Sequence, residues 1–528
     1  GRHLMNLPLL QKRCCLIGHK RSLTFLLLLP AFGMLRLLPA LLFLCTSTLS
    51  AQQGGELTGV SPLSAGTSGA GMAWGSSALD ASTNPAALMQ LFGAHSRHGA
   101  STQRVELYGR FVDTRTEITD RFGRAVTVQQ DAAFGPWFAY AASLGPDVVW
   151  SLAFQPTLGA DFAATRNTML NIVTVNLDGS GGPMPHDVPM ETQLRQLALE
   201  PSFAWRVNQQ WSFGLGMSIR DTTLETTAAT ELGLGELQGA LPESLANIFG
   251  DLSWGELIQQ LGQDRGVESF QTEFHGAAES GMPTMFLKFG ASWQASAQTQ
   301  VGFWFRPQSS STDMEGQVDV DLSADLGAFV NGLEEILGAD FLDDPTSRYD
   351  FDLRSIAFPR QAGLSYAHAL ENHDRFSAKL VWTDWSSTFS DWNVHLSNPS
   401  NPEFIGYLGG DGSVDVDLGL RWRDSVVVSA GYEADFGQRL TVRGGLGWSN
   451  NPVRGSVFSG VAPYNTLHAA VGASLWGGPE DMFDYHLAII TALPEKWTSG
   501  DNEVLSDLSG DVFDQQVWSL MFGCSLSW

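Results

Sequence analysis

Side chains able to do chemistry are sparse in this sequence, and their spacing argues against catalysis. His95 and His98 lie three apart at the start of an alternating stretch, so they point to opposite faces and make a poor metal pair. Asp178-Gly179-Ser180-Gly181-Gly182 has the form of a nucleophile turn, but it sits in a Gly-rich loop with no paired His. Walker, HExxH and GxSxG motifs are absent, and the Gly-rich run Gly66 to Gly71 lacks the Lys of a phosphate loop. Gly409-Gly410-Asp411-Gly412-Ser413, with Asp415 and Asp417, offers oxygens to calcium, though not in EF-hand spacing. Cys14, Cys15 and Cys45 fall in the N-terminal segment and leave only Cys524, so no intrachain disulfide is expected beyond it. No catalytic residue, metal or cofactor is therefore expected. What remains are cations: Arg220, Arg306, Lys379 and Arg443 lie on the small-residue faces of alternating stretches. An inward cation in an apolar pocket can pair a ligand carboxylate; the alternative is pairing with one of the many acids.

The elements that carry those cations alternate with period two from about His95 onward. Trp211, Phe213, Leu215, Met217 and Ile219 alternate with Ser212, Gly214, Gly216, Ser218 and Arg220. Leu440, Val442, Leu446 and Trp448 oppose Thr441, Arg443, Gly445 and Gly447, and Val414 to Tyr432 reads as one strand of nearly twenty residues. These are strands with one apolar face and one small or polar face. Trp137, Trp150, Trp293, Trp382, Trp448 and Trp497 recur near strand ends, as in an interfacial girdle. Trp518, Leu520, Phe522, Cys524, Leu526 and Trp528 share one face of the last strand, which ends the chain on an aromatic residue. Phe522, Leu526 and Trp528 thus form an outer-membrane insertion signal, read by the barrel-assembly machinery.

Composition narrows the class further. With Lys+Arg 30 against Asp+Glu 56, the net charge is −26 at pH 7, which excludes a cationic nucleic-acid binder. Hydrophobic residues at 43% and 17 Trp exclude disorder. No span of about 20 apolar residues occurs beyond the N-terminus, which excludes a helical membrane bundle but not a membrane β-barrel. Residues 1–51 contain no Asp or Glu and read as a signal segment, with Met34 as the expected start and cleavage after Ala51. After Ala51 the only lysines are Lys288, Lys379 and Lys496, an acidic, Lys-poor balance that fits a saline habitat.

Two stretches break the strand rhythm. Leu234, Leu237, Leu241, Leu245, Ile248 and Leu252 precede Trp254, Leu257, Ile258 and Leu261 at helical spacings, with Ser253 and Glu256 as a capping box. Leu322, Leu326, Phe329, Val330, Leu333, Ile336, Leu337 and Phe341 repeat the pattern. Both sit between strand pairs, hence in long loops, where Leu245, Ile248 and Leu333 could form a groove for an apolar ligand. The alternative is that these helices only cover the rim. Gln155-Pro156-Thr157-Leu158-Gly159 follows the alternating Trp150, Leu152 and Phe154; Pro156 cannot donate to a ladder and Gly159 tolerates unusual backbone angles. Pairing is expected to break at Pro156–Gly159; the alternative is a strand that simply ends there.

Gly54 to Ala87 is rich in Gly, Ala, Ser and Thr and ends in Asp80-Ala81-Ser82-Thr83-Asn84-Pro85-Ala86, a pattern of short turns rather than a ladder. This opening resembles the N-terminal hatch of the FadL-type outer-membrane transporters of long-chain fatty acids and aromatic hydrocarbons, whose hatch motif is the Asn84-Pro85-Ala86 turn. Trp211-Ser212-Phe213-Gly214-Leu215-Gly216, Thr383-Asp384-Trp385-Ser386, Arg443 to Val453 and the terminal strand extend the resemblance over nearly all of residues 56–528. It implies an all-β, antiparallel transmembrane barrel of about 14 strands. The hatch would occupy residues 52–94 and the barrel 95–528, with long loops near 162–197, 222–282 and 321–350. It further implies a passive, monomeric importer in the outer membrane of a Gram-negative bacterium, among outer-membrane lipids and lipopolysaccharide. Ligand would be captured by the loops, gated by the hatch and released sideways through a kink near Pro156 and Gly159. Arg306 and Arg443 match basic positions of the family's strands. The alternatives are a structural or adhesin barrel and an outer-membrane lipase or protease.

Overall fold

The computed structural model describes residues 52–53, 56–92, 101–119, 123–129, 133–170, 184–262, 269–337, 341, 343–371, 374–390, 392–417, 421–437, 439–453, 466–477, 482–498 and 510–528. The expected signal segment with Met34, the His95/His98 pair, the Asp178–Gly182 turn and Leu418/Leu420 lie outside the described residues.

Fourteen staves close into one antiparallel barrel. They are β1 (Gln103–Thr119), β2 (Ala125–Gln129 and Ala133–Gly145), β3 (Val148–Leu170), β4 (Met184–Arg206) and β5 (Trp211–Gly233). Then come β6 (Ser269–Ser280 and Thr284–Gln294), β7 (Thr299–Arg306 and Thr312–Asp321), β8 (Thr346–Ile356 and Gln361–Ala369) and β9 (Arg375–Thr383 and Asn393–Ser397). The last five are β10 (Val414–Asp417 and Ser425–Phe436), β11 (Leu440–Ser449), β12 (Leu467–Leu475), β13 (Phe483–Thr498) and β14 (Val512–Ser527). Each pairs with its chain neighbours, and β14 closes on β1 in continuous register from Val512↔Thr119 to Ser527↔Arg104. Closure removes every sheet edge, which backbone groups in a hydrocarbon solvent require. Among the described residues, no helix is long and apolar enough to cross a membrane.

The period-two pattern fixes which way each stave faces. On β5, Phe213 and Leu215 are exposed outward while Ser212, Gly214, Gly216 and Ser218 face the lumen. On β11, Leu440, Val442, Leu446 and Trp448 face out, and on β14 so do Trp518, Phe522 and Trp528. Trp137 departs from the girdle reading. It faces inward, fully buried, and packs in one cluster with Leu63, Leu79 and Leu91.

Five adjacent staves, β6 to β10, are interrupted at a common level. Pro283, Pro307 and Pro359 fall in three of these breaks, where a missing N–H ends the ladder. Below the breaks the outer face is apolar (Leu287, Phe289, Phe303, Leu364, Leu380). Above them it is charged, with Glu279, Glu315, Asp319, Arg348 and Asp350 exposed. The lipid belt therefore ends at this seam, and the upper wall stands clear of it. Val414 to Tyr432 is correspondingly two segments, not one strand. Val414 and Trp422 face inward, and the parity then changes so that Val427 faces in and Val428 out. The staves also run into stretches expected as loops: β3 continues to Leu170, β4 starts at Met184 and β5 reaches Gly233. On β5 the outer face of this stretch carries exposed Asp221 and Glu225, so it lacks the apolar alternation that marks a lipid-facing strand.

The long-loop rim carries helices α3 (Glu243–Phe249), α4 (Trp254–Gly262), α5 (Ala328–Leu337) and α6 (Glu403–Leu408). At α4 the capping box forms as spaced: Ser253 N donates to Glu256 Oε2 (2.8 Å) and Glu256 N to Ser253 Oγ (3.2 Å). Earlier in the chain, α1 (Pro62–Ala65), three 3-10 turns and α2 (Leu88–Leu91) fill the lumen, almost wholly buried.

Candidate transport pathway

The luminal segment is seated by two turns in glycine-floored sockets. Asn84 caps the turn Pro85–Ala87, its Oδ1 accepting from Ala86 N (3.1 Å), and its Nδ2 donates to the Ala291 carbonyl (3.4 Å). This turn lies on Gly214 and Gly290, which face each other across β5 and β6. A Cβ at Gly214 would sit 2.4 Å from Ala86 N, and one at Gly290 would sit 2.2 Å from Asn84 Oδ1. On the far wall, a Cβ at Gly445 would sit 2.2 Å from the Thr67 carbonyl carbon, one at Gly431 2.6 Å from Thr67 Cβ, and one at Gly472 2.9 Å from Gly66 Cα. No side chain fits where backbone approaches so nearly, which is why the polar faces of these strands are so rich in glycine.

A buried charge cluster supplies a third tether. Asp80 caps with Ser77, accepting from its amide (3.1 Å). Glu106 on β1 takes the Ser77 hydroxyl, the Ala78 amide (3.1 Å) and the Arg104 guanidinium (2.7 Å). Burial, and then the charge of Glu106, push the Asp80 carboxyl up to about 8. Its ordinary value is 3.8, so the seated segment holds a proton that an unseated one releases. Asp80's share of the seating is present in acid and is lost as pH rises through about 8. Exposure of the segment to protease should thus increase as pH rises from about 4 to about 8, and Asp80→Asn should flatten that rise. If the parent and Asp80→Asn rise alike over that range, the loosening originates elsewhere.

The four luminal cations do not converge. Arg220 and Arg306 flank the ring of Phe286 at 4.3 and 4.9 Å. Arg443 instead pairs with Glu433 (2.9 Å) and donates to Ser474 Oγ (2.5 Å), beside Gly66 of the hatch segment. The Lys379 ammonium lies against Gly69 of that segment. Sequence reasoning passed over Lys288 and Glu200, which form a fully buried pair at 2.7 Å; Gln155 and Ser218 also donate to Glu200 (2.8 and 2.6 Å). Lys288 was legible as one of three lysines after Ala51, but nothing in spacing linked it to Glu200.

Phe286 touches Phe358 (6.0 Å) at the edge of an apolar layer in which Phe358, Trp385 and Trp422 each meet the ring of Phe389 at 4.8–6.2 Å. Higher still is an apolar cavity lined by Leu224, Leu232, Val320, Tyr349, Leu396, Phe404, Leu408 and Val416 among others. Leu245 and Leu333 are buried in the cluster that roofs it. Ile248 is 60% exposed and lies outside that cluster, a correction to its grouping with Leu245. On a seven-residue helix only one side can face inward. The contribution of α6 was missed. Its signal was Pro402-Glu403 opening a turn, followed by Phe404, Tyr407 and Leu408 at helical spacing. Asp411, a candidate calcium ligand, instead accepts from Ser413 Oγ (2.6 Å) and Ser413 N (3.1 Å), and the hydroxyl holds its carboxyl below the usual range.

The wall changes beside Gln155. Pairing of β2 with β3 stops at Phe138↔Phe154, and in the same register Pro136 would next face Pro156. From there to Ala133, β2 pairs β1. On its other side β3 keeps pairing β4 through Pro156 and Gly159, with Thr157 left out of register. A gap across Pro156–Gly159 is thus replaced by a one-sided break, because the Thr157 bulge lets β3 bend without leaving β4.

A family model described as outer membrane protein transport protein (OMPP1/FadL/TodX) matches residues 50–460. The chain belongs to this family. The toluene transporter TodX of Pseudomonas putida shares the fold with a TM-score of 0.62 and 16% identity, over 89% of this chain and 99% of that one. A FadL homologue of Pseudomonas aeruginosa aligns with a TM-score of 0.60 and 15% identity, over 88% and 98% of the two chains. The Ralstonia pickettii toluene transporter TbuX aligns with a TM-score of 0.59 and 16% identity, over 89% and 99%. Among curated protein sequences none matches. As a FadL/TodX-family barrel, the chain is a transport protein of the Gram-negative outer membrane.

Proposed function

We propose that this barrel carries hydrophobic small molecules passively across the outer membrane. The observation that carries this reading is the cavity above the lipid belt, whose lining is apolar except for the hydroxyls of Thr226, Thr272 and Tyr349. An apolar solute gains roughly 25 cal/mol for each Å² it removes from water there. TodX and TbuX are toluene transporters, and CymD, of the same fold, is a monoaromatic hydrocarbon channel. Cargo enters at the loop cavity, passes the aromatic layer, and meets residues 52–94 acting as a hatch. Three features favour sideways release past β2 and β3: the pairing that stops at Phe154, the prolines Pro136 and Pro156 just beyond that stop, and the Thr157 bulge. Arg220 and Arg306, beside Phe286, are placed to meet a polar end of cargo, whereas Lys379 and Arg443 serve the hatch. The outward aromatic edge of β14, ending at Trp528, is the signal for assembly.

Deleting the gene should slow growth on, or uptake of, a subset of a panel of fatty acids and aromatic hydrocarbons, with restoration by the intact gene. A cysteine pair linking β2 to β3 beyond Phe138 should block the same uptake until reduced. Unchanged uptake across the whole panel after deletion would overturn the transport reading, and normal uptake with the link closed would overturn sideways release.

A further inference from the structure

The cavity wall contains three hydroxyls, and two of them are occupied. Thr226 Oγ1 shares a hydrogen bond with Thr192 Oγ1 (3.2 Å), and Thr272 Oγ1 donates to the Asp321 carbonyl (3.1 Å). In the roof above, the Tyr407 hydroxyl donates to the Phe341 carbonyl (2.9 Å). Tyr349 differs. It faces inward from β8, is 1% exposed, packs edge-on against Phe404 at 6.1 Å, and its hydroxyl meets no partner among the described residues. A phenol sealed from water and left unpaired is a costly arrangement that a bound molecule would relieve.

We propose that this cavity selects uncharged, mostly apolar molecules bearing one hydrogen-bonding oxygen, and that Tyr349 is the residue that reads that oxygen. The inference rests on the cavity being the capture site. A plain hydrocarbon fills the space but leaves the hydroxyl unpaired. A carboxylate brings a charge into a lining that contains no cation, since Arg220 and Arg306 lie lower, against Phe286. An alcohol, phenol, ketone or ester satisfies both the apolar wall and the hydroxyl. The preference belongs to a neutral donor and acceptor, so it does not require either partner to ionise.

Three ligands of nearly equal size separate these cases: p-xylene, p-cresol and p-toluate, titrated into the full chain in detergent and followed by calorimetry. The parent should bind p-cresol roughly three- to tenfold more tightly than p-xylene, with p-toluate weakest at pH 7. Tyr349→Phe keeps the ring and its packing, and should abolish the p-cresol preference while leaving p-xylene affinity unchanged. Retention of the preference in Tyr349→Phe, or tighter binding of p-toluate than of p-cresol by the parent, would overturn the proposal. Val416→Trp fills the cavity and should weaken p-xylene and p-cresol together. If both still bind that variant normally, the capture site lies elsewhere and the transport route must be redrawn. If that variant loses both but Tyr349→Phe keeps its preference, only the role of Tyr349 falls.

Discussion

Valine at Gly290, or at Gly214, is expected to unseat the hatch and turn a closed barrel into a leaky one. The new Cβ at either position would lie 2.2–2.4 Å from atoms of the Asn84–Ala86 turn. What it meets at Gly214 is backbone, which cannot swing aside as a side-chain tip can. Overpacking of this kind costs about 1–3 kcal/mol, and the wall has no slack because both glycines sit in paired strands. The unseated fraction should then rise roughly 5- to 150-fold, read as ion conductance in planar bilayers or as sensitivity to small polar antibiotics. Valine at Gly233, near whose Cβ position nothing lies within 4 Å, provides the control. Equal conductance for all three variants would mean that residues 52–94 do not seal the lumen.

Aspartate at Leu333 or Leu245 should abolish capture while sparing the barrel. Both side chains are buried in the roof, at 3% and 0% exposure, among Leu241, Trp254, Leu326 and Phe404. Placing a carboxyl there without a partner costs roughly 2–7 kcal/mol, more than α3 or α5 can supply from a few turns of helix. The roof should open, and uptake should fall by at least about tenfold, since 1.4 kcal/mol already corresponds to that factor. Insertion, read from heat-modifiable electrophoretic mobility, should be unchanged, because the fourteen staves do not depend on the loops for their pairing. Aspartate at Ile248 should have little effect, as surface changes stay within about ±0.5 kcal/mol. Comparable loss from Ile248→Asp would show that the outer face of α3, and not the cavity, receives the cargo.

Much of the barrel was legible because a wall between lipid and lumen repeats one simple instruction at every second residue. That held for β5, β11 and β14, whose outward apolar faces could be read directly. It failed for Val414–Tyr432, where both halves alternate cleanly but on different parities, and a break in between is invisible to a period of two. Trp137 failed for a related reason: alternation names two faces without saying which is lipid, and a Trp on β2 that packs on the hatch looks like one at an interface. The Asn84 turn was visible through its local chemistry, Asn as a cap and Pro at the first turn position. Its partners Gly214 and Gly290, like Gly445 under Thr67, were visible only as an excess of glycine. The socket exists between segments far apart in sequence, and so does the Glu200–Lys288 pair. Ile248 was grouped with Leu245 because helical spacing was extended past the point where a short helix turns its next residue to water.

The sockets also set an order of events in assembly. Residues 58–92 emerge from the ribosome before any stave, yet Asn84 meets Ala291 at a separation of 207 residues, and Thr67 rests on strands later still. Contacts so distant in sequence form late, since the loop between them must close first. The luminal segment therefore completes its contacts only when β14 is in place, where Met521 packs in one cluster with Leu63. Its composition suits that wait: a stretch of Gly, Ala, Ser and Thr offers little to stick to other chains, and gains its structure from a wall not yet built.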